Sequence, residues 1–196
     1  GLTSRPAIAD PRQLNGARLF HSSEDPVARG APGRISVNQK VACASCHPHG
    51  EHDGRVWDFQ SLPGNHGPRS TISLLGMSLS YGPSAGSRGQ LHRSGDRDET
   101  QDFDYTFTGV SMQGTGFLGG GAQPELGPPN AGVSPDLDDM DAYLLSLPPI
   151  ARSPHRDASG GLSEAAVRGA TFFVGQTPSR RSADASCAGC HVPETG

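Results

Sequence analysis

Apolar side chains recur at helical spacing in one long segment of the chain, and its flanking residues explain where it begins and ends. Within residues 134–147, leucine, methionine and tyrosine repeat every three or four positions, the period of a helix with one apolar face. Ser134 is a candidate N-cap, Pro135 suits the first helical position, and acidic residues follow in the first turn. Pro148 and Pro149 end the segment. The pattern predicts a helix that closes a domain.

A second pattern occurs twice. Residues 14–20 (LNGARLF) and residues 167–173 (VRGATFF) each place a Gly-Ala pair on a predicted short helix that ends in an aromatic side chain. Ser163 followed by Glu164 is a good start for the second helix. A plain amphipathic core helix explains either segment alone. The repetition favours two domains with the same fold. In each, the small residues of the Gly-Ala pair are expected to let two helices cross closely.

The region between residues 50 and 133 is predicted to be mostly loop. Gly119-Gly120-Gly121 and Pro128-Pro129 oppose regular structure within it. The expected fold is mainly α, with long loops and two domains. The second domain is expected to be incomplete, because few residues follow the pattern Cys-x-x-Cys-His at residues 187–191. The predicted boundaries are a first domain over residues 1–149, a linker over residues 150–161 and the start of a second domain over residues 162–196.

Two copies of the pattern Cys-x-x-Cys-His contain every cysteine of the chain, namely Cys43-Ala-Ser-Cys46-His47 and Cys187-Ala-Gly-Cys190-His191. Two thiols at this spacing can add to the two vinyl groups of one haem, and the adjacent imidazole then lies beneath the iron. A zinc ribbon would place its pairs roughly 15–20 residues apart, and a thioredoxin-like motif would lie in a βαβ pattern. The motifs therefore predict two covalently bound haem c groups, with His47 and His191 as proximal iron ligands.

Composition agrees with a cofactor-dependent fold. Glycine and proline are abundant, with 27 and 17 residues, and aromatic residues make up only 6% of the chain. Such a chain has little apolar core of its own, so two large macrocycles would supply part of it. The net charge of −4 argues against nucleic acid as a partner and is compatible with a basic redox partner.

The expected location follows from the cofactor. No apolar run approaches the ~20 residues needed to span a bilayer. The first residues, GLTSRP, do not form a signal peptide, so we interpret the chain as mature or excised. Since covalent haem attachment normally takes place outside the cytoplasm, we expect a periplasmic or otherwise exported protein.

The order of these features resembles the bacterial dihaem cytochrome c peroxidases and the related MauG proteins. The similarity extends from about residue 14 to residue 191. It includes both helix segments and both haem motifs already described. Two further segments contribute, GPRSTISL at residues 67–74 and SGDR at residues 94–97, which are similar to the G-P-R-N-x-P-x-L and W-D-G-R segments of the family.

The resemblance implies an architecture of two cytochrome c-like haem domains and a direction of electron flow. In the family, the C-terminal haem accepts electrons, here from an electron-donor protein such as a small cytochrome or a cupredoxin. The N-terminal haem reacts with peroxide. The expected function is a periplasmic oxidoreductase in which electrons pass from the haem on His191 to the haem on His47, for peroxide reduction or substrate oxidation.

Three departures from the family bear on catalysis. Arg93 occupies the place of the tryptophan between the haems, and Gln113, next to Met112, occupies the place of the catalytic glutamate. Glutamine cannot take a proton as a carboxylate does, so general acid–base assistance worth ~10²–10⁴-fold would be lost. His66 lies a few residues after the position of the histidine that caps the resting haem. The alternative is a non-catalytic electron-transfer module, on its own or within a larger protein.

Further candidates surround these motifs. Met112 and His66 are candidate distal iron ligands, and Arg69 and Arg97 could hold haem propionates by bidentate hydrogen bonds, with ordinary surface pairing as the alternative. Trp57 is either an electron relay or a packing aromatic. The acidic segment 96–104 is a candidate for the Ca²⁺ that these enzymes often carry, although it lacks EF-hand spacing, and a solvated loop is the alternative.

Overall fold

A computed structural model describes residues 10–23, 34–39, 41–58, 67–80, 91–151, 153–157, 159–175 and 187–189. The chain divides into two compact units, Gly1–Pro149 and Ile150–Gly196. The helices of the first unit are α1 (Pro11–His21), α2 (Cys43–Cys46), α3 (Met77–Ser80), α4 (Asp104–Thr108) and α5 (Pro135–Leu145), and that of the second is α6 (Glu164–Phe173). Strands β1 (Val56–Asp58) and β2 (Pro68–Ser70) pair antiparallel, and 3₁₀ turns lie at Pro48–Gly50, Thr100–Phe103, Gly119–Gly121 and Cys187–Gly189.

Both α1 and α5 begin at a side-chain cap followed by proline. The Asp10 carboxylate accepts a hydrogen bond from the Arg12 N–H at 2.9 Å, and Ser134 Oγ accepts one from the Leu137 N–H at 3.5 Å. Proline at the first helical position costs no hydrogen bond, because that N–H has no partner within the helix. The predicted cap at Ser134 is confirmed, and α5 ends at Leu145, slightly before the predicted end.

The two helices α1 and α5 cross at Gly16, where their backbones come close together. A Cβ atom at Gly16 would overlap the Asp139 carbonyl oxygen and lie 2.8 Å from Tyr143 Cβ. Beside the crossing, Asn15 Nδ2 donates to the carboxylates of Asp136 and Asp139 at 3.0 and 2.9 Å. This confirms the predicted role of the small residue on the first of the two repeated helices.

The apolar core of the first unit lies around this crossing. Phe20 exposes 1% of its surface, and its ring centroid lies 5.3 Å from that of Tyr143. Burial of one such side chain stabilises a fold by about 1.5–3 kcal/mol. The cluster draws apolar residues from several separate parts of the chain: Leu19, Phe20, Ile35, Phe107, Leu118, Leu137, Met140, Tyr143, Leu144 and Leu147. Its members include Met140, one of the helically spaced apolar residues of segment 134–147.

The stretch just before the first Cys-x-x-Cys-His motif is held by strand-like pairing to the middle of the chain. Ser36 and Gln113 form an isolated antiparallel bridge, and the Val37 N–H donates to the Met112 carbonyl oxygen at 3.0 Å. This pairing ties the residues that lead into α2 to the candidate distal segment. Each contact joins residues that are far apart in sequence, so the hydrophobic periodicity of the chain does not predict it.

The region predicted to be mostly loop contains several short regular elements. In the two-stranded sheet, Trp57 lies opposite Arg69. The expectation that Gly119–Gly121 oppose regular structure was wrong, because they form a single 3₁₀ turn closed by the Gly121 N–H and the Leu118 carbonyl at 3.1 Å. One such turn needs only one i→i+3 hydrogen bond, which glycine allows as well as other residues do.

A buried polar cluster packs between the acidic segment and α5. Asp102 accepts from the Asp98 N–H at 3.0 Å and from Asn130 Nδ2 at 2.9 Å, and Thr100 Oγ1 donates to Asp141 at 2.7 Å. Buried polar groups are tolerated when they are hydrogen-bonded in this way. The expectation of a solvated loop was therefore wrong for the following residues, all buried: Arg97, Glu99, Thr100, Gln101, Asp102 and Asp104.

The second unit is described chiefly through α6. Ser163 Oγ accepts a hydrogen bond from the Ala166 N–H at 3.3 Å, which confirms the predicted cap. Within the described residues, α6 buries none of its side chains. None of the helices in the described ranges is long and apolar enough to cross a membrane.

Candidate functional site

The first Cys-x-x-Cys-His motif forms one helical turn followed directly by a 3₁₀ turn. The His47 N–H donates to the Cys43 carbonyl oxygen at 2.9 Å, and the Ala42 N–H donates to Ser45 Oγ at 3.0 Å, which closes the turn from both ends. Side chains three positions apart on a helix lie on the same face, so Cys43 and Cys46 face the same way. Both thiols are free.

The two thiols lie in an environment that keeps them neutral. Burial raises the pKa of Cys43 to about 12. Burial also raises the pKa of Cys46, with the Asp53 carboxylate acting in the same direction and Arg55 opposing it. Zinc binds the thiolate, so two thiols whose pKa values are raised by burial make a poor zinc site. Among the described residues, no group of three or more His, Cys, Asp or Glu side chains is placed to hold a metal ion.

His47 is half-buried, and its Nδ1 atom is buried without a hydrogen bond of normal geometry. Burial lowers the pKa of His47, while the backbone carbonyls of Ile72 and Glu51 and the Asp53 carboxylate oppose that shift. The neutral imidazole is therefore favoured, and this is the form that ligates a metal. An orphaned buried nitrogen is unusual in a folded protein and fits a side chain that awaits another group.

Gly50 holds the motif against the end of the closing helix. Its φ is +81°, and a Cβ there would lie 2.7 Å from Leu147 Cδ1. The Leu74 N–H donates to the Gly50 carbonyl at 2.8 Å, which brings in the segment next to Ile72. Sequence reasoning did not single out Gly50. A glycine shortly after a haem motif, before a loop that must turn back, was the available signal.

The first motif lies at the border of the apolar core. Cys43 itself packs against the buried core. The other side chains that pack against the core in the same half-buried manner are Ala17, Ala44, Leu74, Leu75, Met77, Phe103, Met112 and Phe117. Two thiols on one face of a turn, an adjacent imidazole and an apolar border are the donor set and surroundings that fit a haem.

Trp57 is fixed beside the motif by a carboxylate. Its indole Nε1–H donates to Asp53 Oδ2 at 2.9 Å, and the Arg55 N–H donates to Asp53 Oδ1 at 3.0 Å. The same Asp53 acts on Cys46 and His47, so the half-buried indole lies in the immediate surroundings of the motif. Asp53 is a residue that sequence reasoning missed, because a lone acid in a polar run carries no distinct pattern.

The structure places the two neighbouring candidate distal residues, Met112 and Gln113, in different environments. Met112 is half-buried and packs against the core, whereas the Gln113 side chain is exposed and donates to the Val110 carbonyl at 3.2 Å. Gln113 also has a positive φ of 54°. Met112 is therefore the better placed of the two to face an apolar group, and Gln113 is held by backbone contacts.

Arg93 and Arg69 both bind backbone oxygens near β2. Exposed Arg93 donates from Nη2 to the Ser70 carbonyl at 2.8 Å and to Ser70 Oγ at 2.9 Å. Half-buried Arg69 donates from Nη1 to the Pro68 carbonyl at 3.1 Å. Arg93 thus braces the sheet, and its predicted place between two haems stays a prediction.

Arg97 is buried in an ion pair. Its Nη1 lies 2.6 Å from Glu125 Oε1 and 3.3 Å from Asp96 Oδ2, and its buried Nε has no hydrogen-bond partner. The guanidinium is therefore buried and paired with protein carboxylates, and its predicted contact with a haem propionate stays a prediction.

The calcium prediction concerns side chains that the fold already uses. Asp102 accepts from the Asp98 N–H, and Asp104 accepts from the Phe117 N–H at 2.6 Å. Burial raises the pKa of Asp104, although the N–H groups of Phe117 and Leu118 act against that shift. These carboxylates therefore cap backbone, and Ca²⁺ binding stays a prediction.

Several predicted site residues cannot be placed. His66, Cys190 and His191 lie outside the described residues, and Cys187 is exposed at the start of a 3₁₀ turn. His49 and His52 are exposed, and the exposed His92 places its Nδ1 2.9 Å from Asp96 Oδ1.

Comparison with known proteins adds one distant likeness. No protein-family model matches the chain, and no curated protein matches it. Among solved structures, the chain is similar to hydrazine synthase of Kuenenia stuttgartiensis, determined under 20 bar of xenon, with 22% identity and a TM-score of 0.42. The match covers 83% of this chain and 44% of that one, so this chain spans less than half of its length. A likeness at this level defines neither fold nor function.

Proposed function

We propose that the chain is a dihaem c-type cytochrome with a mainly α fold of two cytochrome c-like haem domains. The observation that carries the proposal is the turn Cys43–His47, which places two free thiols on one face beside a half-buried imidazole whose Nδ1 is buried without a hydrogen bond of normal geometry. The second motif, Cys187-Ala-Gly-Cys190-His191, repeats the same residues in the sequence.

Attachment of haem at this turn needs no oxidant. Each thiol adds across a vinyl group, its sulfur bonding to one carbon and its proton passing to the other, so that Cys43 and Cys46 each form one thioether. His47 would supply the iron ligand, and the peptide group of Glu51 and the Asp53 carboxylate would orient its ring. When bound, haem supplies one-electron transfer or small-molecule activation, depending on whether its sixth position is closed.

The leading form of the proposal is a peroxidase-like oxidoreductase of the periplasm or another exported location. In it, electrons would enter at the His191 site from an electron-donor protein, such as a small cytochrome or a cupredoxin, and would reduce peroxide at the His47 site. Where a substrate is oxidised there instead, that substrate would supply the electrons that peroxide takes up. The order of the sequence segments supports this form, since the helix, the haem motif and the GPRSTISL segment follow one another as in the dihaem peroxidases.

The second form is a non-catalytic electron-transfer cytochrome, and one observation favours it. The residue in place of the catalytic glutamate is Gln113, whose exposed side chain is bonded to the Val110 carbonyl. An amide can neither accept nor release a proton near neutral pH. Met112 beside it is half-buried and carries a thioether, a ligand that raises the potential of an electron-transfer haem.

The attachment step is tested by producing the chain in a periplasm that contains the haem-attachment machinery. We expect a protein mass and a pyridine haemochrome that correspond to two covalent haems. The variant C43S/C46S should carry one haem, and C187S/C190S should carry the other. The control S45A, which keeps both cysteines, should carry two. Failure of the wild-type chain to retain haem after acid–acetone extraction would refute the proposal.

The two forms are separated by absorption and EPR spectra of the ferric protein with and without cyanide. A high-spin signal that becomes low-spin with cyanide would mean an open site and would support the peroxidase-like form. Low-spin spectra that ignore cyanide would support the electron-transfer form. In that case, M112L should convert one haem to high-spin, whereas M77L should leave the spectra unchanged.

A further inference from the structure

Tyr143 is a buried phenol whose hydroxyl group reaches a histidine at the surface. The residue is 2% exposed, and its ring packs against Phe20 with the two centroids 5.3 Å apart. Its Oη atom lies 3.1 Å from Nε2 of His21, which is exposed. This hydrogen bond therefore connects the apolar core of the first unit with solvent.

Tyr105 provides an internal comparison. Its hydroxyl group donates to the Gln123 carbonyl oxygen at 2.8 Å. A peptide carbonyl does not take up a proton near neutral pH, whereas an imidazole does. Both phenols are hydrogen-bonded, but among the tyrosines in the described ranges only Tyr143 has a base as its partner. Tyr81, the third tyrosine, lies outside those ranges.

The difference between the two partners matters when a phenol loses an electron. The product is a strong acid, so its proton leaves with the electron wherever a base is in reach. Without that transfer, a radical cation would remain in the core at Tyr143, and an unpaired buried charge is costly. Transfer to His21 moves the positive charge onto an exposed ring and leaves a neutral radical in the core.

The position of His21 favours its charged form. His21 is the last residue of α1, and the carboxyl end of a helix stabilises a positive charge. Arg18, the other basic residue of that turn, donates to Asn15 Oδ1 one turn back, from Nε at 3.3 Å and from Nη2 at 3.1 Å. Phe20 contacts the imidazole edge-on, with the ring centroids 5.2 Å apart. These contacts hold the imidazole where it can accept the phenolic proton.

We propose that Tyr143 and His21 form a proton-coupled one-electron redox site. In the neutral tautomer with the proton on Nδ1, His21 accepts the hydrogen bond of the phenol at Nε2. A one-electron oxidant removes an electron from Tyr143, the phenolic O–H bond breaks, and the proton forms an N–H bond at His21 Nε2. The products are a neutral tyrosyl radical, an imidazolium and the reduced oxidant. When a donor returns the electron, the proton goes back to the phenol.

The site lies close to the first Cys-x-x-Cys-His motif. Tyr143 is one helical turn before Leu147, against which Gly50 packs just after the motif. The oxidant within the protein would be the haem on His47 in the presence of peroxide, and this part rests on the proposed function. Reduction of peroxide to water takes up two electrons and two protons, so Tyr143 would supply one of the electrons and solvent the protons. The redox site itself requires a one-electron oxidant and not haem.

The test generates an oxidant by light and detects the radical by EPR. The full-length chain as isolated, with ferric iron in any haem, is illuminated with tris(bipyridine)ruthenium(II) and a cobalt(III) acceptor, which together yield ruthenium(III). All proteins carry Y81F, so that only Tyr105 and Tyr143 can give a tyrosyl signal. We expect a signal, assigned with ring-deuterated tyrosine, that is lost in Y143F and kept in Y105F. Y143F retains the ring and therefore the core packing.

Variants of His21 identify the proton acceptor. H21F keeps a ring beside Tyr143 but no base, and the radical yield should fall at least about tenfold, since a positioned base accelerates proton transfer by ~10²–10⁴-fold. Because position 21 is exposed, added imidazole should restore the yield of H21A, which a purely structural role of His21 does not predict. H155F removes another exposed histidine and should leave the yield unchanged.

The outcomes separate the redox site from its oxidant. Absence of a tyrosyl signal with ruthenium(III), a signal that follows Tyr105, or an equal yield from H21F would each refute the site. Peroxide added to the haem-loaded chain without ruthenium should give the same signal, again lost in Y143F. If ruthenium(III) gives the signal and peroxide does not, the site is confirmed and oxidation through the haem is refuted. A chain that retains no haem would refute the proposed function and leave the ruthenium result valid.

Discussion

Gly50 lies where the turn after the first haem motif meets the end of α5, and two independent constraints act on it. Its φ of +81° disfavours any side chain, and a Cβ would lie 2.7 Å from Leu147 Cδ1. Gly54 provides a matched control, since its φ is +69° but a Cβ there would meet nothing within 4 Å.

We therefore expect G50A to destabilise the protein more than G54A does. The positive φ alone costs about 1–2 kcal/mol at either position, and the contact with Leu147 adds to this at Gly50 only. Urea denaturation of the two variants measures the difference. Equal losses of unfolding free energy would show that the leucine moves aside and that Gly50 does not hold the turn.

Glu99 is a second residue whose environment makes a measurable difference. It is 2% exposed, its Oε1 accepts from the Asn130 N–H, and its Oε2 has no partner. Burial raises the pKa of Glu99 above its ordinary value, and the neighbouring Asp102 and Asp98 carboxylates act in the same direction. Folding therefore shifts the protonation equilibrium of Glu99 toward the acid, relative to the unfolded chain.

The sign of the pH effect follows from that raised pKa. The contribution of Glu99 to stability is full below its unfolded pKa of about 4.5 and is lost as the pH rises through the folded value. The variant E99Q stays neutral, so we expect its stability relative to the wild type to increase between pH 4.5 and pH 7, by about 1 kcal/mol. E51Q, at an exposed position, is the control. A pH-independent difference between E99Q and wild type would contradict the prediction.

At the level of elements, the helix caps and the helical periodicity could be predicted from the sequence. The element against which each helix packs could not. Ser134 and Ser163 were predicted as caps because serine before an acidic first turn satisfies free N–H groups locally. The pairing of residues 36–37 with residues 112–113 was missed. It depends on contacts between distant parts of the chain, and nothing in the local pattern specifies them.

Gly16 and Gly169 are the glycines of the two repeated helix segments. Gly16 lies against α5, whereas no described atom lies within 4 Å of a Cβ at Gly169. G16A should destabilise the first unit by about 1–3 kcal/mol, because the added methyl overlaps the Asp139 carbonyl and cannot be accommodated without separating α1 from α5. G169A meets open space and should leave stability unchanged or raise it by about 0.5–1 kcal/mol through helix propensity.

Thermal unfolding followed by circular dichroism measures both glycine variants. If G16A proved as stable as G169A, the close approach of α1 and α5 would not be required for the fold. The comparison also tests whether a side chain at Gly169 meets open space in the folded chain, as it does among the described residues.

For the molecule as a whole, the fluorescence of the single tryptophan would report haem attachment at the first motif. Trp57 is bonded to Asp53, which in turn acts on Cys46, so a haem bound there would lie close to the indole and quench its fluorescence. We expect tryptophan emission of the haem-loaded chain to be weak and to rise several-fold in C43S/C46S. S45A should stay quenched, and equal emission from all three proteins would contradict the proposed attachment site.

Two domains were predicted from the repeated helix segments and the repeated Cys-x-x-Cys-His pattern, with a linker from residue 150 onward. The structure divides the chain into two compact units, Gly1–Pro149 and Ile150–Gly196, and their assignment as haem domains stays a prediction. Proline, serine and glycine there interrupt helical periodicity, and that interruption is visible in the sequence. The burial of the acidic segment was not predicted. Its carboxylates read as a solvated loop, because nothing in the segment shows that Asn130 and α5 would satisfy them.

The sequence by itself determined the chemistry that this protein offers: two pairs of thiols at one-turn spacing, each followed by an imidazole, and the capped helices that precede and follow the first pair. These features are local, because covalent spacing and helix capping act over three or four residues. Only the tertiary structure decided which side chains surround the first motif. It buried the Nδ1 atom of the half-buried His47, placed Met112 against the core and Gln113 in solvent, and paired Arg97 with Glu125. Burial and ion pairing depend on residues that are distant in the chain, so they follow from packing and not from pattern.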